Sequence, residues 1–175
     1  MLFRSFRLST FDSGNKHNAI PREGFVTLAV QKSHVDKFNA MVSEFHNIFK
    51  TEFQTKEPNL ALTAKPIDLP KKVASFDFQN RLINSFYAVP HGVSRMSPDI
   101  PNLVQSSTNL AIVETRPEEI FVLTSQRSSI ETEKMGVVGR VCATFTLGGA
   151  VSKSSDGYPG WQPNVNSEIL NVSKD

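Results

Sequence analysis

The N-terminal part of the chain has short apolar runs that give way to a helical spacing. Two such runs, over residues 6–11 and 25–30, flank the turn-forming segment 12–15 and predict two strands. Apolar side chains then recur every three or four residues over residues 34–53, which is the spacing of an amphipathic helix. These positions are Val35, Phe38, Val42, Phe45 and Phe49. The pattern therefore predicts the order strand, strand, helix.

The rest of the chain continues with short apolar runs separated by proline and glycine. The expected elements are, in order, a strand over residues 60–64, a helix over 78–86, a long irregular loop over 90–107 with room for one short extended piece, a hairpin of 109–114 and 120–125, a helix over 135–145 and a strand over 150–153. The apolar stripe of the last helix is expected at Met135, Val138, Cys142 and Phe145, with Gly148-Gly149 as its end.

The second half of the chain resembles the first half when the two are displaced by 96 positions. The matched pairs include Phe25 with Phe121, Gln31 with Arg127, Val42 with Val138 and Phe49 with Phe145. This repeat predicts an α+β fold, a two-layer α/β sandwich with ferredoxin-like units repeated in two halves on a shared, mainly antiparallel sheet. A complete unit of this kind has a strand and a helix before its second strand, and the first half lacks both. The sequence therefore predicts a piece of a larger protein.

Composition and charge are those of an ordinary globular domain. The 175 residues are 39% hydrophobic and 21% charged, which is enough for one buried core. A net charge of +2, with the basic residues scattered, argues against a nucleic-acid partner. No apolar run approaches the roughly 18 residues of a membrane helix, and the N-terminus does not have the pattern of a signal peptide. With a single cysteine, these features predict a cytoplasmic protein.

The histidines and the cysteine give little sign of catalytic chemistry. His34 and Asp36 have the His-x-Asp spacing of dinuclear zinc hydrolases, but Ser33 and Asp36 are better explained as capping groups at a helix start. The other histidines have no second ligand at metal-binding spacing. Cys142 lies on an apolar helix stripe, where a thiol is usually part of the core. We therefore expect no catalytic residue and no metal ligand in this chain.

Arg127 and Asn109 are stronger candidates for binding. Arg127 ends a predicted strand directly before a helix start, with Ser128 and Glu131 at capping-box spacing. A guanidinium at such a junction can bind a carboxylate through two parallel hydrogen bonds. The alternative for Arg127 is a surface arginine paired with Glu131 or Glu133. The alternative for Asn109 is a turn or strand-end residue without a binding role. The residue pattern alone leaves both interpretations open.

Three longer motifs carry a resemblance to a known family. They are Asn18-Ala19-Ile20-Pro21-Arg22-Glu23, Pro90-His91-Gly92-Val93-Ser94-Arg95-Met96-Ser97-Pro98-Asp99-Ile100-Pro101 and Gln105-Ser106-Ser107-Thr108-Asn109-Leu110-Ala111. In this order they closely resemble the aminoacyl-histidine dipeptidases, the Xaa-His or carnosine-cleaving branch of the dinuclear zinc metallopeptidases. The segment Tyr158-Pro159-Gly160-Trp161-Gln162-Pro163-Asn164 resembles the family's return from an inserted domain to the catalytic domain. The resemblance runs over nearly the whole chain.

The part of the family that this chain resembles is the inserted lid, or dimerisation, domain. Residues 1–153 would form this domain without its first strand and helix, and residues 154–175 would lead back to a catalytic domain that the chain does not contain. The family's zinc ligands and general-base glutamate have no counterpart here. The resemblance therefore implies two zinc ions in the parent enzyme and none in this chain. It also implies that the chain alone has no peptidase activity.

Two substrate-binding residues carry over by motif. Asn18 matches the asparagine of the wider clan's Asn-x-Ile-Pro motif, which reaches into an active site and helps to hold substrate. Arg127 matches the family arginine that looks placed to bind the substrate's C-terminal carboxylate. Related peptidases place such an arginine thirteen residues after the motif asparagine, where this chain has Gln31. Because Gln31 is the repeat equivalent of Arg127 and has no charge, the hypothesis is that carboxylate binding moved between the halves.

The resemblance also implies a role and partners. A lid of this kind closes over a dipeptide, excludes water and completes a site whose zinc ions lie on another domain. Its partners would be that catalytic domain, a second copy of the lid in a homodimer and the dipeptide, with Asn18, Arg127 and Asn109 as candidate substrate-binding residues and with no nucleic acid or membrane. The alternative is a free-standing ferredoxin-like module that binds a small ligand or has a regulatory role. The missing first strand and helix favour the lid.

Overall fold

The structure is a computed structural model, and it describes residues 6–161. The strands in this part of the chain are β1 (Phe6–Ser13), β2 (Gly24–Val30), β3 (Gly92–Met96), β4 (Val104–Thr115) and β5 (Ile120–Ser128), and the α-helices are α1 (Val35–Phe53), α2 (Phe76–Ala88) and α3 (Glu131–Leu147). One turn of 3-10 helix, Lys32–His34, leads into α1. The strands and helices confirm the predicted α+β class.

The predicted internal repeat is present in the positions of the elements. β2 starts at Gly24 and β5 starts at Ile120, so the two strands begin 96 positions apart, as the sequence repeat predicts. The same displacement relates the start of α1 at Val35 to the start of α3 at Glu131. In each half, a strand leads within a few residues into a long helix. The strand-to-helix unit therefore occurs twice in the chain.

β4 is the central strand of an antiparallel sheet. The strand order is β2-β1-β4-β3, and β5 also pairs with β4. β5 runs antiparallel along one edge of β4, over residues 106–115. β3 and β1 must therefore share the other edge. β3 pairs antiparallel with residues 104–108, and β1 pairs antiparallel where Ser13 lies opposite Val113.

The described residues form two compact units. One contains residues 26–80 with the start of β1, and the other contains residues 12–25 and the chain from Arg81 onward. In the first unit Gln79 is fully buried, and its side-chain Oε1 accepts a 2.8 Å hydrogen bond from the backbone N–H of Leu8. A side chain thus satisfies a backbone group of β1 that a neighbouring strand would otherwise satisfy.

Helix α1, in the first unit, carries the predicted apolar stripe without burying it. The rings of Phe45, Phe49 and Phe53 follow one another with centroids 5.9 and 6.5 Å apart. No residue of α1, all of which the structure describes, is buried, and Phe45 and Phe53 are 44% and 46% exposed. An amphipathic helix with an exposed apolar stripe offers a surface to a partner.

The core of the second unit lies between α3, the end of α2 and the sheet. The rings of Phe86 and Phe145 meet edge-on with centroids 6.4 Å apart. Removing apolar side chains from water is the main stabilising term here, at about 25 cal/mol per Å². The cluster consists of Val89, Val141 and Phe145, with Phe86, Leu110 and Val122 packed against it. Because Leu110 and Val122 belong to β4 and β5, this packing fixes α3 on one face of those strands.

Two of the predicted strands are wrong. Residues 60–64 and 150–153 form neither strand nor helix, and both segments are exposed. A short apolar run needs a neighbouring strand to satisfy its backbone groups, and local sequence does not reveal whether one is present. In the predicted loop, by contrast, β3 is the short extended piece, and β4 begins at Val104 rather than at Asn109.

The apolar stripe predicted for the last helix is also wrong in part. The buried residues of α3 are Val137, Val141 and Phe145, whereas Met135 is 56% exposed. Cys142 is half-buried rather than in the core. Both stripes have helical spacing and share Phe145. The sequence pattern therefore could not choose between them, and packing against β4 and β5 decides which face is buried.

None of the helices within residues 6–161 is long and apolar enough to cross a bilayer.

The predicted returning segment is described only as far as Trp161. Its last motif residues, Gln162, Pro163 and Asn164, and the rest of the segment to residue 175 lie outside the described residues.

Candidate functional site

Strand β4 has a stretch of edge that no strand within residues 6–161 covers. On the edge shared by β3 and β1, β3 pairs as far as Thr108 and β1 pairs at Val113. Between them, the backbone N–H of Leu110 donates to Nδ1 of His91 at 3.1 Å. A histidine side chain therefore supplies the acceptor that a strand would otherwise provide. Because Nδ1 accepts, the neutral ring of His91 carries its proton on Nε2.

The loop of residues 14–23, between β1 and β2, approaches the same stretch of β4. At Gly14 φ is +72°, and a Cβ there would lie 2.0 Å from the carbonyl oxygen of Ala111. Only glycine allows this backbone conformation together with this approach. The two ends of the loop meet at Glu23, whose carbonyl oxygen accepts from the Ser13 hydroxyl at 2.9 Å and from the N–H of Gly14 at 3.4 Å. The two ends of the loop are therefore hydrogen-bonded to each other, and the loop contacts β4 at Ala111.

Asn109 joins the middle of this loop to β4. Its Nδ2 donates a 2.8 Å hydrogen bond to the carbonyl oxygen of Ala19. Its Oδ1 is buried and has no hydrogen-bond partner among the described residues. Such an acceptor is costly to leave unsatisfied, so a water molecule or a ligand group that donates to it would be bound favourably. Asn18, which precedes Ala19, is exposed.

Arg127 lies on the same face of the sheet as Asn109. In the β4–β5 pairing, Arg127 is opposite Ser107 and Asn109 is opposite Ser125. Side chains two residues apart on a strand share a face, so Asn109 and Arg127 are diagonal neighbours. This is the face away from α3, because the buried Ser106 on the other face contacts that helix. The side chain of Arg127 is exposed.

The acidic residues that the alternative interpretation paired with Arg127 have other partners. Glu131 pairs with Lys134 at 2.8 Å, and Glu133 pairs with Arg95. The hydrogen bond from Lys134 is the main reason that the pKa of Glu131 lies below its usual value. Within residues 6–161, no carboxylate pairs with Arg127. Its guanidinium is therefore available to an external carboxylate.

The three predicted binding residues belong to one region of the second unit. Asn109 bonds to the loop that carries Asn18, and Arg127 is the diagonal neighbour of Asn109. Sequence reasoning missed His91, because it weighed the histidines only as metal ligands. The signal available in the sequence was Gly92, which directly follows His91, and in the structure its φ is +92°. A glycine in that conformation marks a sharp backbone turn at the start of β3.

The described residues do not fit a zinc site. Within residues 6–161, no three His, Cys, Asp or Glu side chains come together as metal ligands. A pair of zinc ions therefore has no donor set in this part of the chain.

The helix start predicted at Ser33 is wrong in detail. The N-cap residue of α1 is His34, which makes no side-chain capping hydrogen bond, and only Asp36 provides an acidic group in the first turn. The Ser33 hydroxyl instead lies 3.2 Å from Nδ1 of His34.

Comparisons with known proteins identify the fold. No family model matches the sequence. The chain is 32% identical over 169 residues to the cytosol non-specific dipeptidase of Escherichia coli strain K12, and the match covers 97% of this chain and 35% of that protein. It is also 32% identical in sequence to the aminoacylhistidine dipeptidase from Vibrio alginolyticus, and the crystal structure of that protein matches this fold with a TM-score of 0.91. The structural match covers 95% of this chain and 34% of that chain. The chain is homologous to a segment of each of these two dipeptidases.

The chain spans about one third of the length of these dipeptidases. Because the alignment with the E. coli dipeptidase covers 169 of 175 residues, it includes the β1–β2 loop that contains Asn18 and the strands that contain Asn109 and Arg127. The two matches confirm the family resemblance that the sequence motifs indicated. The described surface is therefore part of a dipeptidase-related segment.

Proposed function

We propose that this chain is the lid of a larger metal-dependent dipeptidase that hydrolyses Xaa-His dipeptides. The match to one third of two dipeptidases supports a segment of a longer enzyme. The name of the structural match, aminoacylhistidine dipeptidase, supports the substrate class. The zinc ions and the residues that activate water would lie in the other two thirds of that enzyme, because residues 6–161 offer no fitting ligand set.

The main observation in support of the proposal is the hydrogen bond from Asn109 to the Ala19 carbonyl oxygen. Asn109 lies on the same sheet face as Arg127. It fixes the loop of Asn18 beside the strand pair that presents the guanidinium. In the proposed complex, Arg127 binds the C-terminal carboxylate of the dipeptide through paired hydrogen bonds. The exposed amide of Asn18 hydrogen-bonds to the rest of the dipeptide, and Asn109 holds the loop in place.

The internal repeat supports the assignment of carboxylate binding to the second half. Gln31, the repeat equivalent of Arg127, follows β2 directly, and its carbonyl oxygen accepts from the N–H of His34 at 2.8 Å. Its side chain is an uncharged amide, which binds a carboxylate more weakly than a guanidinium does. Arg127 has the charge and the exposure that this role needs.

The proposed homodimer would form through β2 and α1. β2 lies at the end of the strand order, so no strand among the described residues pairs with its outer edge, and a second copy would pair there. Phe25 and Val26 at its start are 65% and 50% exposed, and α1 carries the rings of Phe45, Phe49 and Phe53, of which the first and last are exposed. An edge strand and an apolar helix pair with a second copy of themselves in a two-fold interface. The mass of the chain in solution tests this part of the proposal.

The test of the proposed function compares two arginines in the full-length enzyme that carries this segment. Arg127→Lys keeps the charge but removes the forked donors, so the KM for an Xaa-His dipeptide should rise about five- to ten-fold, with a smaller change in kcat. Arg22→Lys is the matched control, because Arg22 is also an exposed arginine. Equally mild effects of the two substitutions would contradict the assignment.

A second test uses the isolated 175-residue chain. With zinc and an Xaa-His dipeptide, the purified chain should release no free histidine above the rate of a blank. Robust metal-dependent hydrolysis by the chain alone would overturn its assignment as a lid.

A further inference from the structure

A polar network lies under the junction of β5 and α3, on the sheet face opposite Arg127. The junction network consists of Gln105, Ser106, Ser128, Glu133 and Arg95. Ser106 is 2% exposed, and the Glu133 side chain is 21% exposed. Buried polar groups of this kind are costly unless each one is hydrogen-bonded.

Glu133 is the common acceptor of the junction network. Its Oε2 accepts from the Ser106 hydroxyl at 2.6 Å and from Nε2 of Gln105 at 2.7 Å, and its Oε1 accepts from Arg95. These hydrogen bonds, that of Ser106 first, hold the pKa of the Glu133 carboxyl below its usual value against the opposing effect of burial. Glu133 therefore stays ionised at neutral pH.

The direction of the remaining hydrogen bonds follows from the charge of Glu133. A carboxylate only accepts, so the single hydroxyl proton of Ser106 goes to Glu133. The 2.8 Å contact between the hydroxyls of Ser106 and Ser128 must then be donated by Ser128. The hydroxyl oxygen of Ser128 in turn accepts from the N–H of Ile130 at 3.0 Å. The hydrogen bonds thus run in one direction, from Ile130 through both serines to Glu133.

The junction network holds the backbone on the C-terminal side of Arg127. Ser128 is the next residue, and the N–H of Ser129 donates to the carbonyl oxygen of Gln105 at 3.1 Å. Ser106 and Ser128 are opposite each other in the β4–β5 pairing, next to the pair of Ser107 and Arg127. The path of the chain that aims the guanidinium is therefore set by side chains on the other face of the sheet.

We propose that Ser106, Ser128 and Glu133 are positioning residues for Arg127, which fix its backbone so that the guanidinium meets the substrate carboxylate in the two-bond geometry. This inference rests on the proposed function, because it needs a carboxylate at Arg127. A bidentate contact depends on orientation, so small movements of the strand end reduce it. Because the three residues lie on the sheet face opposite Arg127, they act through the backbone and not by contact with the carboxylate.

A double-mutant cycle in the full-length enzyme tests the inference. Glu133→Gln removes the charged acceptor, and we expect the KM for an Xaa-His dipeptide to rise about three- to ten-fold at nearly constant kcat. In an Arg127→Ala background the same substitution should change KM by less than about two-fold, because the group that it positions is absent. Glu119→Gln is the matched control, since Glu119 pairs with Arg116 at the far end of the hairpin.

A second pair of variants covers the case in which Glu133→Gln does not fold. Ser128→Ala should raise KM as Glu133→Gln does, whereas Ser128→Thr keeps a hydroxyl and should restore KM to within about two-fold of the unmodified enzyme. Circular dichroism and thermal unfolding establish that each variant is folded before its KM is compared.

The outcomes separate this inference from the proposed function. If Arg127→Ala raises KM but Glu133→Gln and Ser128→Ala leave it unchanged, the positioning role is wrong and the proposed function stands. The same conclusion follows if Glu133→Gln raises KM equally with and without Arg127. If Arg127→Ala itself leaves KM unchanged, both proposals fail.

Discussion

Asn109 on β4 and Ala19 in the β1–β2 loop are 90 residues apart in sequence and are joined by a hydrogen bond of 2.8 Å. The bond holds the middle of a loop whose ends already meet at Glu23. Because Asn18 precedes Ala19, the bond also determines where an exposed amide lies relative to the sheet face of Arg127. A substrate contact on a connecting segment depends on such anchoring to a rigid scaffold.

Removal of the Asn109 side chain should weaken substrate binding without stopping catalysis. In the full-length enzyme, Asn109→Ala removes one hydrogen bond worth about 1 kcal/mol, so the KM for an Xaa-His dipeptide should rise about five-fold. Asn39→Ala, at an exposed position of α1, is the control and should leave KM unchanged. An unchanged KM for Asn109→Ala would show that the loop holds its position without the bond.

A methyl group at Gly14 should destabilise the chain. Gly14→Ala places a Cβ in the left-handed region and 2.0 Å from the Ala111 carbonyl, so the free energy of unfolding should fall by about 2–4 kcal/mol. Gly139→Ala in α3 is the control of opposite sign. Its Cβ meets no atom within 4 Å, and alanine in a helix should raise the free energy of unfolding by about 0.5–1 kcal/mol. Urea unfolding followed by circular dichroism measures both, and similar stabilities would contradict the seating of the loop.

The acceptor at His91 should be replaceable by a side chain of similar shape. His91→Asn keeps an acceptor near the position of Nδ1 and should melt within a few degrees of the unmodified chain. His91→Leu leaves the Leu110 N–H without this partner and should lower the free energy of unfolding by about 1 kcal/mol. His17→Leu, in an exposed turn, is the control. If His91→Asn and His91→Leu melt alike, the hydrogen bond does not contribute to stability.

The sequence predicts the repeated strand-to-helix units well, because their signals are local. The apolar spacing of α1 and the displacement from Gly24 to Ile120 need no knowledge of distant residues. Residues 60–64 show the limit of this reasoning, since their apolar run has the composition of a strand but pairs with no strand in the part of the chain that the structure describes. Whether a short run becomes a strand depends on residues far away in the chain.

The candidate site is predictable only in part, for the same reason. Motif matching gives Asn18, Asn109 and Arg127, but their spatial relation depends on the pairing of β4 with β5 and on the Asn109–Ala19 contact. The role of His91 is still harder to predict. It accepts from the stretch of β4 edge that lies, among the described strands, between the end of the β3 pairing and the β1 pairing.

The stability of the chain should depend on Glu133 in acid. Its pKa is lowered in the folded chain, so the folded state binds fewer protons than the unfolded state, whose Glu titrates near its usual value of about 4.3. The stabilisation is therefore present above that value and is lost as the pH falls through the lower, folded pKa. Urea midpoints measured from about pH 6 to about pH 3 should fall less steeply for Glu133→Gln than for the unmodified chain.

The control for the acid experiment is Glu119→Gln at the hairpin turn, which should follow the unmodified chain in its dependence on pH. If Glu133→Gln and the unmodified chain give parallel curves of midpoint against pH, the carboxylate of Glu133 is not stabilised by its donors in the folded state.

We propose that Arg127 binds the C-terminal carboxylate of a dipeptide, and comparing a free acid with its amide tests this claim. In the full-length enzyme, the KM of Arg127→Ala is measured for an Xaa-His dipeptide and for the same dipeptide with an amidated C-terminus. Loss of a charge-assisted contact should raise the KM for the free acid at least about ten-fold and change the KM for the amide less than about two-fold. Equal changes for the acid and the amide would contradict the claim.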